Sequence, residues 1–145
     1  MITQKLASRS YGWEDLNEKY DNNRTPIDCY DPKMGLYHQV QGRHYNSIDK
    51  KWAFTEFERE REKIFEDMIC FCFSKDGKIV ERIYKFPLKE IMERTGAVIY
   101  KNPTDWVGDP KITWYEKYRV KNEDELKKTN EIWIQILEEE KNYTQ

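Results

Sequence analysis

Apolar residues recur along this chain with two different periods, and the switches between them mark its elements. From Met68 to Phe73 the run MICFCF is almost unbroken, the pattern of a central strand covered on both faces. Asp76-Gly77 then supplies hairpin-turn chemistry, and Ile79–Phe86 makes the returning strand, ended by Pro87. Leu36 to Tyr45 alternates instead. Leu36, His38, Val40 and Gly42 fall on one side, and Tyr37, Gln39, Gln41 and Arg43 on the other. Thr25–Tyr30 has strand character, and Asp31-Pro32 with Gly35 turns it into that alternating strand, so the two form a hairpin.

Helical spacing appears in four places. Residues 8–21 carry Trp13, Leu16 and Tyr20 as a stripe, with Glu14 and Glu18 beside it and Asn22-Asn23 as the stop. Residues 55–66 predict a helix with Thr55 and Glu58 as a capping box and Phe57, Ile64 and Phe65 inward. Leu88–Arg94 predicts a short helix stopped by Gly96. The last helix starts from Asn122, with Glu125 three residues on and an inner stripe of Leu126, Thr129, Trp133, Ile136 and Leu137. Ala97–Tyr100 and Lys111–Val120 read as strands. This order predicts an α/β (α+β) fold: one domain over residues 1–145, a central mixed β-sheet flanked by helices.

Composition changes this picture little. The 145 residues suit one core, and a 14% aromatic share supplies large buried areas despite a hydrophobic fraction of only 38%. Charge is informative through its distribution. The net is -2, yet Lys33 to Trp52 carries a local +3 and Glu123 to Lys141 a local -4. A phosphate-facing surface therefore belongs to the first half. Cys29, Cys70 and Cys72 form no disulfide framework and read as buried reduced thiols. Zinc is disfavoured, because the Cys70/Cys72 pair lacks a matched second pair and His38 and His44 are not spaced as partners. With no signal peptide and no spanning apolar run, a soluble intracellular (cytoplasmic) setting without membrane contact is expected.

The chemistry-bearing constellation is in the first hairpin. Pro26-Ile27-Asp28 stands on one strand, and Gln39-Val40-Gln41, eleven residues beyond Asp28, lies on the next. Phosphodiester hydrolysis needs a hard cation on oxygen ligands, an activated water and a positive group near the phosphate. Asp28 and Gln39 can converge on one such ion. Gln39 and Gln41 share a face because they are two apart.

These residues resemble the PD-(D/E)xK nuclease superfamily, in the form whose second acid is glutamine, found in some restriction and homing endonucleases. The resemblance covers roughly residues 10–95, leaving the C-terminal strands and helix over 97–141 outside it. It implies a restriction-endonuclease-like fold and a Mg²⁺-dependent endonuclease acting on double-stranded DNA, with Mn²⁺ as a substitute ion. The implied catalytic set is Asp28, Gln39, Gln41 and Glu14. Asp28, Gln39 and an acid before the hairpin, Glu14 or Glu18, are the implied metal ligands. Arg43, His44, Lys33, Lys50 and Lys51 are the candidate DNA contacts, and cutting both strands calls for a homodimer or higher symmetric assembly.

The chain departs from the family at Gln41, where the catalytic lysine belongs. Gln41 is an introduced replacement, a natural loss that left a binding protein, or a position whose charge comes from Arg43 or Lys33. Arg43 lies two residues on, about 6–7 Å along a strand. The alternative function is a DNA-binding or protein-interaction module without catalysis, with the loop Asn102–Pro110 as its partner surface. Plainer readings of single residues also stand. Asp28 can be a turn residue bonding backbone, the glutamines a solvated sheet face, and Glu14 and Glu18 surface charges. His38 points away from the Gln39/Gln41 face, as does His44. Trp52 can stack beside Lys50-Lys51 on nucleic acid. Trp106, Trp114 and Tyr115 read as core or interface aromatics.

Overall fold

The computed structural model describes residues 2–19, 27–60, 64–102 and 110–144. Expectations at Tyr20, Asn22-Asn23, Thr25-Pro26 and Trp106 lie outside these residues, as does the side chain of Glu18. The chain forms a mixed α/β domain. Its central sheet runs β1 (Glu14–Asp15), β2 (Cys29–Asp31), β3 (Leu36–His44), β5 (Asp67–Phe73), β6 (Val80–Pro87), while β4 (Lys51–Phe54) pairs with β7 (Ala97–Tyr100) in a second, two-stranded sheet. Among the described residues only the β3–β5 pairing is parallel, from His38 opposite Asp67 to His44 opposite Phe73; the other strand pairings are antiparallel.

The unbroken apolar run of β5 has the cause its pattern implies. Ile69, Phe71 and Phe73 join Val40 and Ile83 on one face, under helix α1 (Ile2–Tyr11) and helix α4 (Glu123–Thr144), which contribute Leu6, Ala7, Trp133 and Ile136. Met68, Cys70 and Cys72 face the other way with Tyr84 and Phe86, covered by Trp52, Phe54 and Ile99 of the small sheet and by Phe57 and Tyr115. Each large side chain withdrawn from water this way contributes roughly 1.5–3 kcal/mol. The three cysteines are buried and free, and burial pushes each thiol above its ordinary pKa. Asn122 caps α4 as expected, its Oδ1 accepting from the N–H groups of Asp124 and Glu125 at 2.9 and 3.1 Å.

Several expectations are corrected. The first helix is Ile2–Tyr11, ahead of the predicted 8–21. Gly12, at φ 72°, stops it, and the Trp13 N–H donates back to the Ser8 carbonyl at 3.0 Å, a glycine-based C-terminal cap. The stripe of Trp13 and Leu16 therefore spans a break: Trp13 precedes β1, and Leu16 opens the short helix α2 (Leu16–Lys19). Residues 55–66 hold no α-helix among the described positions, only a 3-10 turn at Phe57–Glu60. Glu56 is left-handed (φ 67°), so no capping box forms. Phe57 and Phe65 are inward as expected, but Ile64 is 81% exposed. Residues Pro110–Tyr118 form a 3-10 helix where a strand was expected over Lys111–Val120. Tyr115 and Tyr118, three apart, both pack into the aromatic cluster around Phe86 and Tyr84, a spacing a strand could not serve. The helix Leu88–Glu93 (α3) and strand β7 agree with their sequence patterns.

The sheet's last strand, β6, is closed on its outer side by α4 and the chain entering it. Asn130 of α4 accepts from the Val80 N–H at 2.8 Å and donates to the Val80 carbonyl at 2.9 Å, and the Val120 N–H donates to the Ile83 carbonyl at 2.8 Å. The Trp133 indole N–H donates to the Gly77 carbonyl at 2.8 Å, pinning the β5–β6 turn. Among the described residues no helix is long and apolar enough to cross a membrane.

At Gly42 the start of α1 packs tightly on the sheet. A Cβ there would meet Phe73 Cε2 and Thr3 Cγ2, both at 2.7 Å. Gly42→Ala is expected to lower stability by about 1–3 kcal/mol through overpacking, read as a reduced urea midpoint with an unchanged m-value.

Candidate functional site

Backbone pairing between β2 and β3 ends at Cys29 opposite His38. Beyond that point side chains take over. The Asp28 N–H donates to Gln39 Oε1 at 2.9 Å, and the Val40 N–H donates to Asp28 Oδ2 at 2.9 Å. Asp28 also receives Gln4 Nε2 on Oδ1 at 2.7 Å, and its carbonyl accepts from the Leu16 N–H at 3.0 Å. One residue thus joins β3, α1 and α2. Gln4 Oε1 in turn accepts from Asn17 Nδ2 at 2.5 Å.

The network continues on the other side of Gln39, whose Nε2 donates to Glu60 Oε2 at 2.5 Å. Gln39 is 2% exposed. Its amide faces an obligatory donor, the Asp28 N–H, and an obligatory acceptor, the Glu60 carboxylate. Those two partners fix which end is oxygen and which is nitrogen.

A cleft of about 460 Å³ opens here along β3, between α1 and the turn Phe57–Glu60. Its walls bring Asp28, Gln39, Gln41 and Arg43 together with Gln4, Glu56, Arg59 and Glu60. Three carboxylates and two guanidiniums therefore share it. Arg43 is steadied by donation from Nη1 to the Gly42 carbonyl at 2.8 Å and lies over the Phe54 ring at 5.5 Å. Arg59 pairs with Glu56 at 3.2 Å. The Gln41 Oε1 atom is buried and has no hydrogen-bond partner among the described residues.

The predicted residues divide cleanly. Asp28, Gln39, Gln41 and Arg43 line one cleft, together with Val40 and Gly42 of the other strand face. Glu14 does not line it; it sits on β1 opposite Tyr30 and not on a helix. His44 is exposed and turned toward Gly77 and Phe73. Lys33 is exposed in the turn after β2, its N–H held by Asp31 Oδ1 at 2.9 Å. Lys50 is left-handed (φ 58°) just before β4, and Lys51 opens β4; neither lines the cleft. Trp52 is fully buried and donates to the Phe73 carbonyl at 2.8 Å, so it offers no stacking surface. Trp114 and Tyr115 belong to the core, Trp114 carrying Arg94 over its ring at 3.8 Å. His38 faces away from the cleft, stacked on Trp13 at 3.8 Å and hydrogen-bonded through Nδ1 to Asp67.

Sequence reasoning missed Gln4, Arg59 and Glu60. Gln4 comes from a helix placed too late in the chain. Glu60 is one acid in a dense charge run, and its only signal is its position three residues after the buried Phe57. Compared with known proteins, the chain matches no family model and no curated sequence.

The cleft's oxygen groups include two carboxylates, Asp28 and Glu60, linked through Gln39, and the buried amide oxygen of Gln41. Hard oxygens of this kind are what Mg²⁺ or Mn²⁺ take, but among the described residues no group of three His, Cys, Asp or Glu is placed to hold a metal ion. Gln4 is what holds Asp28 from below. Gln4→Ala is expected to cost about 1–3 kcal/mol by stripping a donor from a half-buried carboxylate, measured by urea denaturation.

Proposed function

We propose that this chain is a divalent-metal-dependent endonuclease of the PD-(D/E)xK type that hydrolyses DNA phosphodiester bonds at the β3 cleft. The observation that carries the reading is the convergence of Asp28, Gln39, Gln41 and Arg43 on one cleft with a second carboxylate, Glu60. Asp28 and Glu60 would hold Mg²⁺ or Mn²⁺. Gln39, bonded to both residues, keeps them in register. A bound ion would supply charge stabilisation at the phosphate and a more acidic water. Arg43 and Arg59 attract the phosphodiester and offset the charge that builds on it. One cleft per chain cuts one strand, so cutting both calls for a second copy.

Supercoiled plasmid with Mg²⁺ or Mn²⁺ is the direct test. Slow nicking is expected, lost in EDTA and at least about tenfold slower in Asp28→Asn and Glu60→Gln. Glu60→Gln keeps an acceptor for Gln39 and removes only the charge. Nicking that survives both substitutions would overturn the reading.

A second reading is favoured by the saturation of Asp28, both of whose carboxylate oxygens already accept protein hydrogen bonds. On this reading the domain binds DNA without cutting it. It predicts salt-sensitive duplex binding, measured by fluorescence anisotropy, that is the same in EDTA and in Asp28→Asn.

A further inference from the structure

Among the described residues, Lys50 and Glu56 are the non-glycine positions with a left-handed backbone, and of these two Glu56 lines the cleft. Its φ of 67° costs any residue that carries a Cβ, whereas glycine adopts it freely. The packing on either side imposes the turn. Phe54 ends β4 and Phe57 follows three residues later, and both are fully buried. The Phe57 N–H donates to the Thr95 carbonyl at 3.1 Å. Gly96 lies so close to Phe54 that a Cβ there would stand 2.5 Å from its carbonyl oxygen. The chain has only Thr55 and Glu56 in which to turn between two fixed rings. Glycine at position 56 would remove the cost, yet a glutamate stands there. An unfavourable backbone at a cleft points to a use for the side chain it carries.

That side chain has one evident partner. A Glu56 carboxylate oxygen lies 3.2 Å from Arg59 Nη1, in the same cleft wall, and the Arg59 N–H closes the turn on the Glu56 carbonyl at 3.1 Å. Arg59 is 75% exposed and Glu56 54%, so the pair is a weak one. A phosphate offers a guanidinium two acceptors at once and can take Arg59 from it. We propose that Glu56 is a built-in competitor for nucleic-acid phosphate, holding Arg59 until a phosphodiester displaces it; this rests on reading the cleft as a DNA-phosphate site. The effect is a threshold. An anion that reaches Arg59 must break an ion pair and then sit beside the freed carboxylate. A strand that also engages Arg43 can offset that cost, and an isolated phosphate cannot. The exchange also flattens the salt dependence, because the displaced carboxylate regains a counterion as the DNA loses one.

Fluorescence anisotropy of a labelled DNA duplex tests this, in Ca²⁺ and again in EDTA, so that binding is read with and without an ion. Glu56→Gln removes the charge and leaves the backbone as it is. It is expected to tighten binding about three- to fivefold at low salt and to steepen the salt slope by up to about 1. Glu58→Gln removes an exposed charge from the same turn outside the cleft, and should change affinity less than about twofold. In an Arg59→Gln background the gain from Glu56→Gln should largely vanish, since the carboxylate then has no cation to withhold. Glu56→Gly should bind as tightly as Glu56→Gln and unfold at a higher urea midpoint. A parent that binds duplex no more weakly than Glu56→Gln overturns the inference alone. So does a gain that survives in full without Arg59, which is general repulsion, or a Glu56→Gly midpoint no higher than that of Glu56→Gln. No duplex binding by the parent or by any variant overturns the DNA reading and the inference with it.

Discussion

Everything in this domain depends on the register in which β3 lies parallel to β5. His38 is set opposite Asp67, and six further pairs follow to His44 opposite Phe73. Because side chains alternate, that register decides which half of β3 meets which layer. Val40 goes under α1 and α4 with Ile69 and Phe71, while Gln39, Gln41 and Arg43 go toward the turn that carries Glu60. A slip of one residue would bury glutamines in the helical core and take Val40 out of it. Seven paired positions and two apolar layers make such a slip very unfavourable.

The cleft exists because one partner strand is short. β2 pairs with β3 only from Cys29 onward, and ahead of it the ladder is continued by the Asp28 and Gln39 side chains in place of backbone. Hydrogen bonds that would otherwise run strand to strand are routed through groups with chemical uses. Asp28 and Gln39 are then both architectural and, in the nuclease reading, functional. This double duty gives the two readings of the site a common origin, since the bonds that position a carboxylate also occupy it.

Much of this was legible in the sequence, and the failures have physical causes. The hairpin turn sets Asp31 opposite Leu36, and from that register Asp28 must meet Gln39. Alternation then adds Gln41 and Arg43 to one face. The β5–β6 hairpin, α3, β7 and the capped start of α4 also follow from local pattern and turn chemistry. The first helix was misplaced because Gly12 interrupts a stripe that looks continuous across it. Strand β4 was hidden because only Trp52 and Phe54 carry its alternation, behind a basic pair. Gln4 and Glu60 reach Asp28 and Gln39 from 24 and 21 residues away, contacts that no local period encodes.

The closure of β6 bears on how the molecule behaves in a crowded solution. The outermost strand of a sheet is a template on which another extended chain can grow, and such growth seeds aggregates. Here one asparagine from α4 fills both the donor and the acceptor of Val80, and Val120 fills the acceptor of Ile83. At Val80 a foreign strand would have to displace the final helix before it could add. Docking of α4 thus keeps part of the outer edge of β6 from serving as a template for another chain.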